Sequence, residues 1–214
     1  MTPFLRPPRA AAAAALLALS GCGGLAGLSA VTETAALYDL SPKTSFDADL
    51  PRVRRQVVVE EPTAWSYVDT DRVAVKVGPY RVEYFPAVRW VDRAPKMVQR
   101  LLVESLESSG ALAAVGRQAV GLNSDYTLIA DLREFEAVSV GGADEPVGVL
   151  VRLNVKVVAE PRGLIIASES FAARTRAASN GFDDVAEAFD QALGKVLRRA
   201  VEWGVRAIAA DAAG

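Results

Sequence analysis

A single thiol, at Cys22, and the absence of any histidine set the chemistry open to this chain of 214 residues. Cys22 closes the run Leu19-Ser20-Gly21-Cys22. An apolar stretch from Ala10 to Leu19 precedes it, and Arg6 and Arg9 precede that stretch. A positive flank, a short apolar segment and small residues before a cysteine have the form of a bacterial lipoprotein signal. Such a signal is cut just before the cysteine, and the thiol is acylated. The apolar stretch is about ten residues long, and a helix that crosses a bilayer needs about twenty. The expectation is therefore a signal peptide over 1–21, lipidation at Cys22, a flexible tether over 22–36 and a folded domain over 37–210.

Acylation of Cys22 consumes the only thiol, so disulfides and thiolate chemistry drop out. Without histidine, neither a zinc site of the usual kind nor a Ser/His/Asp triad can be assembled. Carboxylates remain as acid/base candidates. Glu60 and Glu61 are adjacent, so a strand would send them to opposite faces. Asp131, Glu134 and Glu136 fall on one predicted strand, where Glu134 and Glu136 share a face and read as solvated. Gly141-Gly142 lacks the spacing of a phosphate or dinucleotide loop and reads as a hairpin turn. No catalytic residue, metal or cofactor is expected. Twenty-four basic against 26 acidic residues give a net charge of −2, which offers nucleic acid no electrostatic support.

The segment 78–92 gathers Tyr80, Arg81, Tyr84, Phe85, Arg89 and Trp90 between prolines. Aromatic residues and arginine are enriched at binding hot spots, so these six are the candidate partner-binding residues. The competing reading packs Tyr84, Phe85 and Trp90 beneath a helix.

The elements that must position this segment follow from periodicity. Leu37 to Pro42 reads as a first strand, 43–55 as a charged irregular loop and Val57 to Glu60 as a second strand. Arg72 to Val77 and 80–85 flank Gly78-Pro79 as a hairpin whose second arm Pro86 stops. A helix follows, capped by Asp92, with Pro95 in its first turn and Gly110 at its end. Its apolar stripe is Met97, Val98, Leu101, Leu102 and Leu106, with Gln99 and Arg100 on the opposite side. Leu112 to Val115 is a short strand. Tyr126 to Val138, Val147 to Glu160 and Leu164 to Ala173 form an antiparallel meander. In its middle strand Val149, Val151, Leu153, Val155 and Val157 share one face. A helix over Asp183 to Ile208 ends the chain, acidic early and basic late, which complements its dipole. The predicted class is α+β, a single mostly antiparallel sheet with two amphipathic helices packed on one face.

Several of these stretches, taken in order, resemble the ABC-type transport auxiliary lipoprotein family of the paraquat-inducible type. They are YDLSP at 38–42, EEP at 60–62, RVAV at 72–75, YF-x-x-x-RW-x-D-x-AP at 84–95 and VQRLLVESLESSG at 98–110. AVGR at 114–117, GL-x-x-DY at 121–126, DLREFEAV at 131–138 and AFDQALGKVLRRAVEW at 188–203 continue the likeness. The resemblance implies a non-catalytic lipoprotein, anchored by lipid on Cys22. It implies partners too: a periplasmic Mce-domain protein, with the permease and ATPase of the same lipid transport system. Sheet edges that pair with further copies would make it a homo-oligomer. Gly23, where an aspartate would hold an enterobacterial lipoprotein in the inner membrane, points to the outer membrane. Two other functions compete. One is an outer-membrane lipoprotein that activates or scaffolds cell-wall enzymes. The other is a hydrolase that works through Asp131 or Glu134.

Overall fold

The computed structural model describes residues 34–117, 124–139 and 145–214. The expected signal, Cys22, the tether up to residue 33, the turn at Gly141-Gly142 and the turn at 121–124 except for Ser124 lie outside the described residues. In chain order the elements are β1 (Ala36–Tyr38), β2 (Val53–Val59), β3 (Thr63–Ala64), β4 (Arg72–Val77), β5 (Arg81–Trp90), α1 (Ala94–Ser108), β6 (Leu112–Arg117), β7 (Tyr126–Ser139), β8 (Gly148–Ala159), β9 (Leu164–Arg176) and α2 (Phe182–Ala213).

The strand β7 organises the sheet. Along one edge it pairs antiparallel with β8 over its whole length, and β8 pairs antiparallel with β9, giving the expected meander. Along its other edge it meets three strands in turn, all parallel: β2 at Tyr126 to Leu128, β3 at Asp131 and Leu132, and β4 at Ala137 to Ser139. From there β2 leads to β6, and β4 leads through β5 to β1. The longest ladders are antiparallel, as expected, but the sheet is mixed. The pairs β1–β5 and β2–β6 are also parallel. Parallel partners lie far apart in sequence and have no turn signal between them, so local patterning does not announce them.

Alternation decides which face is covered. Val149, Val151, Leu153, Val155 and Val157 are buried, while Arg152 and Lys156 between them are exposed. Leu128, Leu132, Phe135 and Ala137 of β7 join them in one core with Val98, Leu101 and Leu102 of α1 and Phe189, Leu193 and Val196 of α2. Each residue of this set removes apolar surface from water at about 25 cal/mol per Å².

Three local expectations are corrected. The first concerns the N-terminal cap of α1, which is Arg93 and makes no side-chain bond to the helix's first turn. The Asp92 carboxylate instead accepts from the Arg93 amide at 2.8 Å and pairs with Lys96 at 2.7 Å. The end of α1 is as expected, with Gly110 at φ +60° just beyond it. The second concerns Gln99, which is buried rather than on a wet face, with its amide donating to the Val59 carbonyl at 2.9 Å. The third is that Pro86 interrupts the pairing with β4 but ends neither that pairing nor the strand. The register jumps from Ala74 opposite Tyr84 to Arg72 opposite Arg89, and Val88 to Trp90 then pair with β1. Pro86 sits in the resulting bulge, where its missing N–H costs no ladder bond. Beside it, Ala87 adopts φ +54°, a conformation that costs a non-glycine residue on the order of 1 kcal/mol. Ala87→Gly is expected to raise stability in urea unfolding by about 0.5 kcal/mol, once the greater chain entropy of glycine is set against the relieved strain.

The charged segment after β1 has no regular secondary structure up to Arg52, as expected, and straps across both helices, whereas Val53 to Arg55 belong to β2. Asp39 pairs with Arg100 of α1. The Ser41 amide donates to Asp190 of α2 at 2.7 Å, and the Lys43 amide donates to the Ser105 hydroxyl of α1 at 2.9 Å. Farther on, the Asp47 amide donates to Glu202 at 3.0 Å, and its carboxylate takes Arg198 at 2.6 Å and Arg206 at 3.2 Å. Bonds from these two arginines, Arg206 first, hold the Asp47 carboxyl below its ordinary value.

Candidate functional site

The hairpin β4–β5 divides the candidate partner-binding residues into a free tip and a buried base. At the turn, Gly78 adopts φ +70°, a conformation that its missing side chain permits. Tyr80 stands next to it and is 97% exposed. Arg81 is also exposed and pairs with Glu83 on the same strand, at 2.9 Å. Arg89, on the far side of the bulge, pairs with Asp71 at 2.9 Å and keeps part of its guanidinium open to solvent.

The other three residues are held inside. The Tyr84 hydroxyl donates to the Tyr67 carbonyl at 3.3 Å, and the Arg72 guanidinium lies 3.7 Å over the Tyr84 ring centre. Phe85 meets Phe182 edge-on, with ring centres 5.2 Å apart. Trp90 is 2% exposed and packs among Phe189, Phe135 and Phe182. The structure thus brings Tyr80 and Arg81 together at one tip, leaves Arg89 apart from them, and places Trp90 in the core.

The carboxylates lie on the open face of β7. Asp131 pairs with Arg133 at 2.8 Å, and Glu134 pairs with Arg152 at 2.6 Å. Neither stands free as a base. Glu136 departs from the expectation of a solvated residue, since its side chain is only 1% exposed. Its Oε2 accepts from the Tyr67 hydroxyl at 3.0 Å, and its Oε1 has no hydrogen-bond partner among the described residues. The Lys76 ammonium is 3.9 Å from Oε1. Burial pushes the Glu136 carboxyl above its ordinary 4.5, against the opposite pull of Tyr67 and Lys76. Burial, and then the Glu136 charge, pushes the Tyr67 hydroxyl up as well.

Trp65 is a surface feature that sequence reasoning missed. It is 67% exposed and borders an open cleft of about 720 Å³ with Tyr67, Arg133, Glu134 and Arg152. Its sequence signal is the pair of aromatics in Ala64-Trp65-Ser66-Tyr67, which follow Pro62 with neither helical nor strand periodicity to bury them. Among the described residues no cluster of three or more His, Cys, Asp or Glu could hold a metal ion, and no helix is long and apolar enough to cross a membrane.

Comparison with known proteins adds the following. A family model described as ABC-type transport auxiliary lipoprotein component matches residues 38–201. The protein bll6063 of Bradyrhizobium diazoefficiens is 29% identical over 87% of this chain, which spans about half the length of that relative. The crystal structure of protein XCC0632 from Xanthomonas campestris is 27% identical, covers 84% of this chain and all of its own, and superposes with a TM-score of 0.77. A second crystal structure, 17% identical with a TM-score of 0.55, covers 84% of this chain and 99% of its own and shares the fold.

Proposed function

Because this chain belongs to the ABC-type transport auxiliary lipoprotein component family, we propose that it is the periplasm-facing lipoprotein subunit of an Mce-type lipid ABC transport system. In this reading the subunit is non-catalytic. Lipid on Cys22 anchors it at the outer membrane, and its domain docks the periplasmic Mce-domain protein, whose permease and ATPase complete the assembly. The observation that carries the reading is the family match, which runs from β1 into α2 and so spans nearly the whole core. The ion pairs that occupy Asp131 and Glu134 support a non-catalytic role over hydrolysis. Gly23 supports the outer membrane.

The hairpin tip supports docking, because an exposed tyrosine beside an arginine is the composition that binding hot spots favour. A photo-crosslinker at position 80 in intact cells, followed by mass spectrometry, is expected to capture an Mce-domain protein. The charge-reversed Tyr80→Ala/Arg81→Glu variant is expected to weaken that capture by about 2 kcal/mol, roughly thirtyfold. Capture of a cell-wall enzyme with no transport subunit would sink the proposal.

A further inference from the structure

A different surface, where α2 overhangs the free edge of β9, holds three cations with no carboxylate partner among the described residues. A depression of about 490 Å³ there is lined by Ala172, Arg174, Lys195, Arg198, Arg199 and Glu202. Glu202 is already taken, since it accepts from Arg198 at 2.9 Å and from the Asp47 amide at 3.0 Å. Arg198 is balanced by Glu202 and Asp47. The other three cations have no carboxylate partner among the described residues. Lys195 donates to the Thr175 hydroxyl at 3.3 Å. Arg199 donates to the main-chain carbonyls of Lys195 and Ala172. These neutral acceptors fix the position of both groups and leave their charge uncompensated. A guanidinium carries five N–H donors, so Arg199 keeps three to offer. The chain as a whole has net charge −2, so this cluster is not a by-product of general basicity.

We propose that this depression binds a phosphate-type oxyanion. Three uncompensated cations suit a group with more than one negative charge, or with several acceptor oxygens, better than a lone carboxylate. The edge of β9 decides against an extended acidic segment added as a new strand. In an antiparallel ladder the N–H and C=O of one residue point to the same side. The Ala172 carbonyl points away from β8, and Arg199 occupies it, which blocks an acceptor that an added strand would need. A compact anion meets no such obstacle. None of the residues at 78–92 lines this depression, so the inference does not rest on the docking tip.

The test uses residues 35–214, which form one unit with the complete core and carry no lipid. One arm measures co-sedimentation with phosphatidylcholine vesicles, with and without phosphatidylglycerol. The other titrates inorganic phosphate by calorimetry. Binding to the phosphatidylglycerol vesicles, with competition by phosphate, identifies a lipid headgroup as the source. Binding of phosphate alone identifies a soluble one. Arg174→Gln breaks no internal bond and leaves the fold intact. It is expected to lower binding about fivefold, the change that about 1 kcal/mol per cation makes. Lys195→Gln should do the same. Arg54→Gln, an exposed cation on β2, is the control and should change nothing. The proposal is overturned if neither vesicles nor phosphate bind, or if Arg54→Gln weakens binding as much as Arg174→Gln.

Discussion

Trp90→Ala is expected to destabilise the protein by about 3–5 kcal/mol, the range for truncating a fully buried aromatic residue. That is a large share of the roughly 5–15 kcal/mol that holds a domain folded. The ring closes a cluster in which Phe189 lies 5.0 Å, Phe135 5.6 Å and Phe182 6.3 Å from it, centre to centre. Those partners come from β7 and α2, so the cavity would open where the sheet meets the helix. The main-chain bond from the Trp90 amide to the Asp71 carbonyl at 2.7 Å and the pairing of Trp90 with Tyr38 of β1 are kept by alanine, so the loss measured is that of the ring. Urea unfolding of Trp90→Ala beside Tyr80→Ala separates the two roles within one segment. Tyr80→Ala is expected to stay within about 0.5 kcal/mol of the parent, as surface substitutions do. Unchanged stability in Trp90→Ala, together with lost partner capture, would contradict the buried role.

That contrast marks the limit of what periodicity could say about this chain. Strand β8 was legible because its valines alternate with charge over twelve residues, and a half-buried strand has no other way to be written. The stripes of α1 and α2 were legible for the same reason. Segment 78–92 was legible as important but not as divided, since composition is the same for a ring at a surface tip and a ring under a helix. The strap is the clearest case of hidden information. Arg100, Arg198 and Arg206 have the pattern of a solvated helix face, and Asp39, Asp47 and Asp49 have that of a short strand and the polar loop after it. Only when the two are brought together, 61 to 159 residues apart, do they become a clasp. The parallel pairs of β7 share this property, for each is a long-range contact with no local sign.

Tyr67→Phe is expected to cost about 1.5–3 kcal/mol at neutral pH, the range for a hydrogen bond to a charged group. The cost should depend on pH, because the group left behind is a buried carboxylate. Glu136 would then rely on the Phe135 main chain and on the ammonium of Lys76 at 3.9 Å, a side chain partly open to water, with Glu134 close enough to repel it. Since its folded carboxyl sits above the ordinary value, the native state holds this proton more tightly than the unfolded chain does. The stabilising contribution is therefore fully present below about 4.5 and is lost as pH rises through the folded value. In acid, Tyr67→Phe then removes a bond to a neutral group, worth about 1 kcal/mol. Glu136→Gln removes the titration altogether, so its stability should change less across the acid range than that of the parent. In that background Tyr67→Phe should again cost only about 1 kcal/mol at any pH. A series of urea unfolding curves from pH 4 to 7 checks all three variants, and an equal cost of Tyr67→Phe at both ends of the range would refute the account. The Tyr67 carbonyl holds the Tyr84 hydroxyl, so the tyrosine that shields Glu136 also seats the hairpin on which Tyr80 and Arg81 stand.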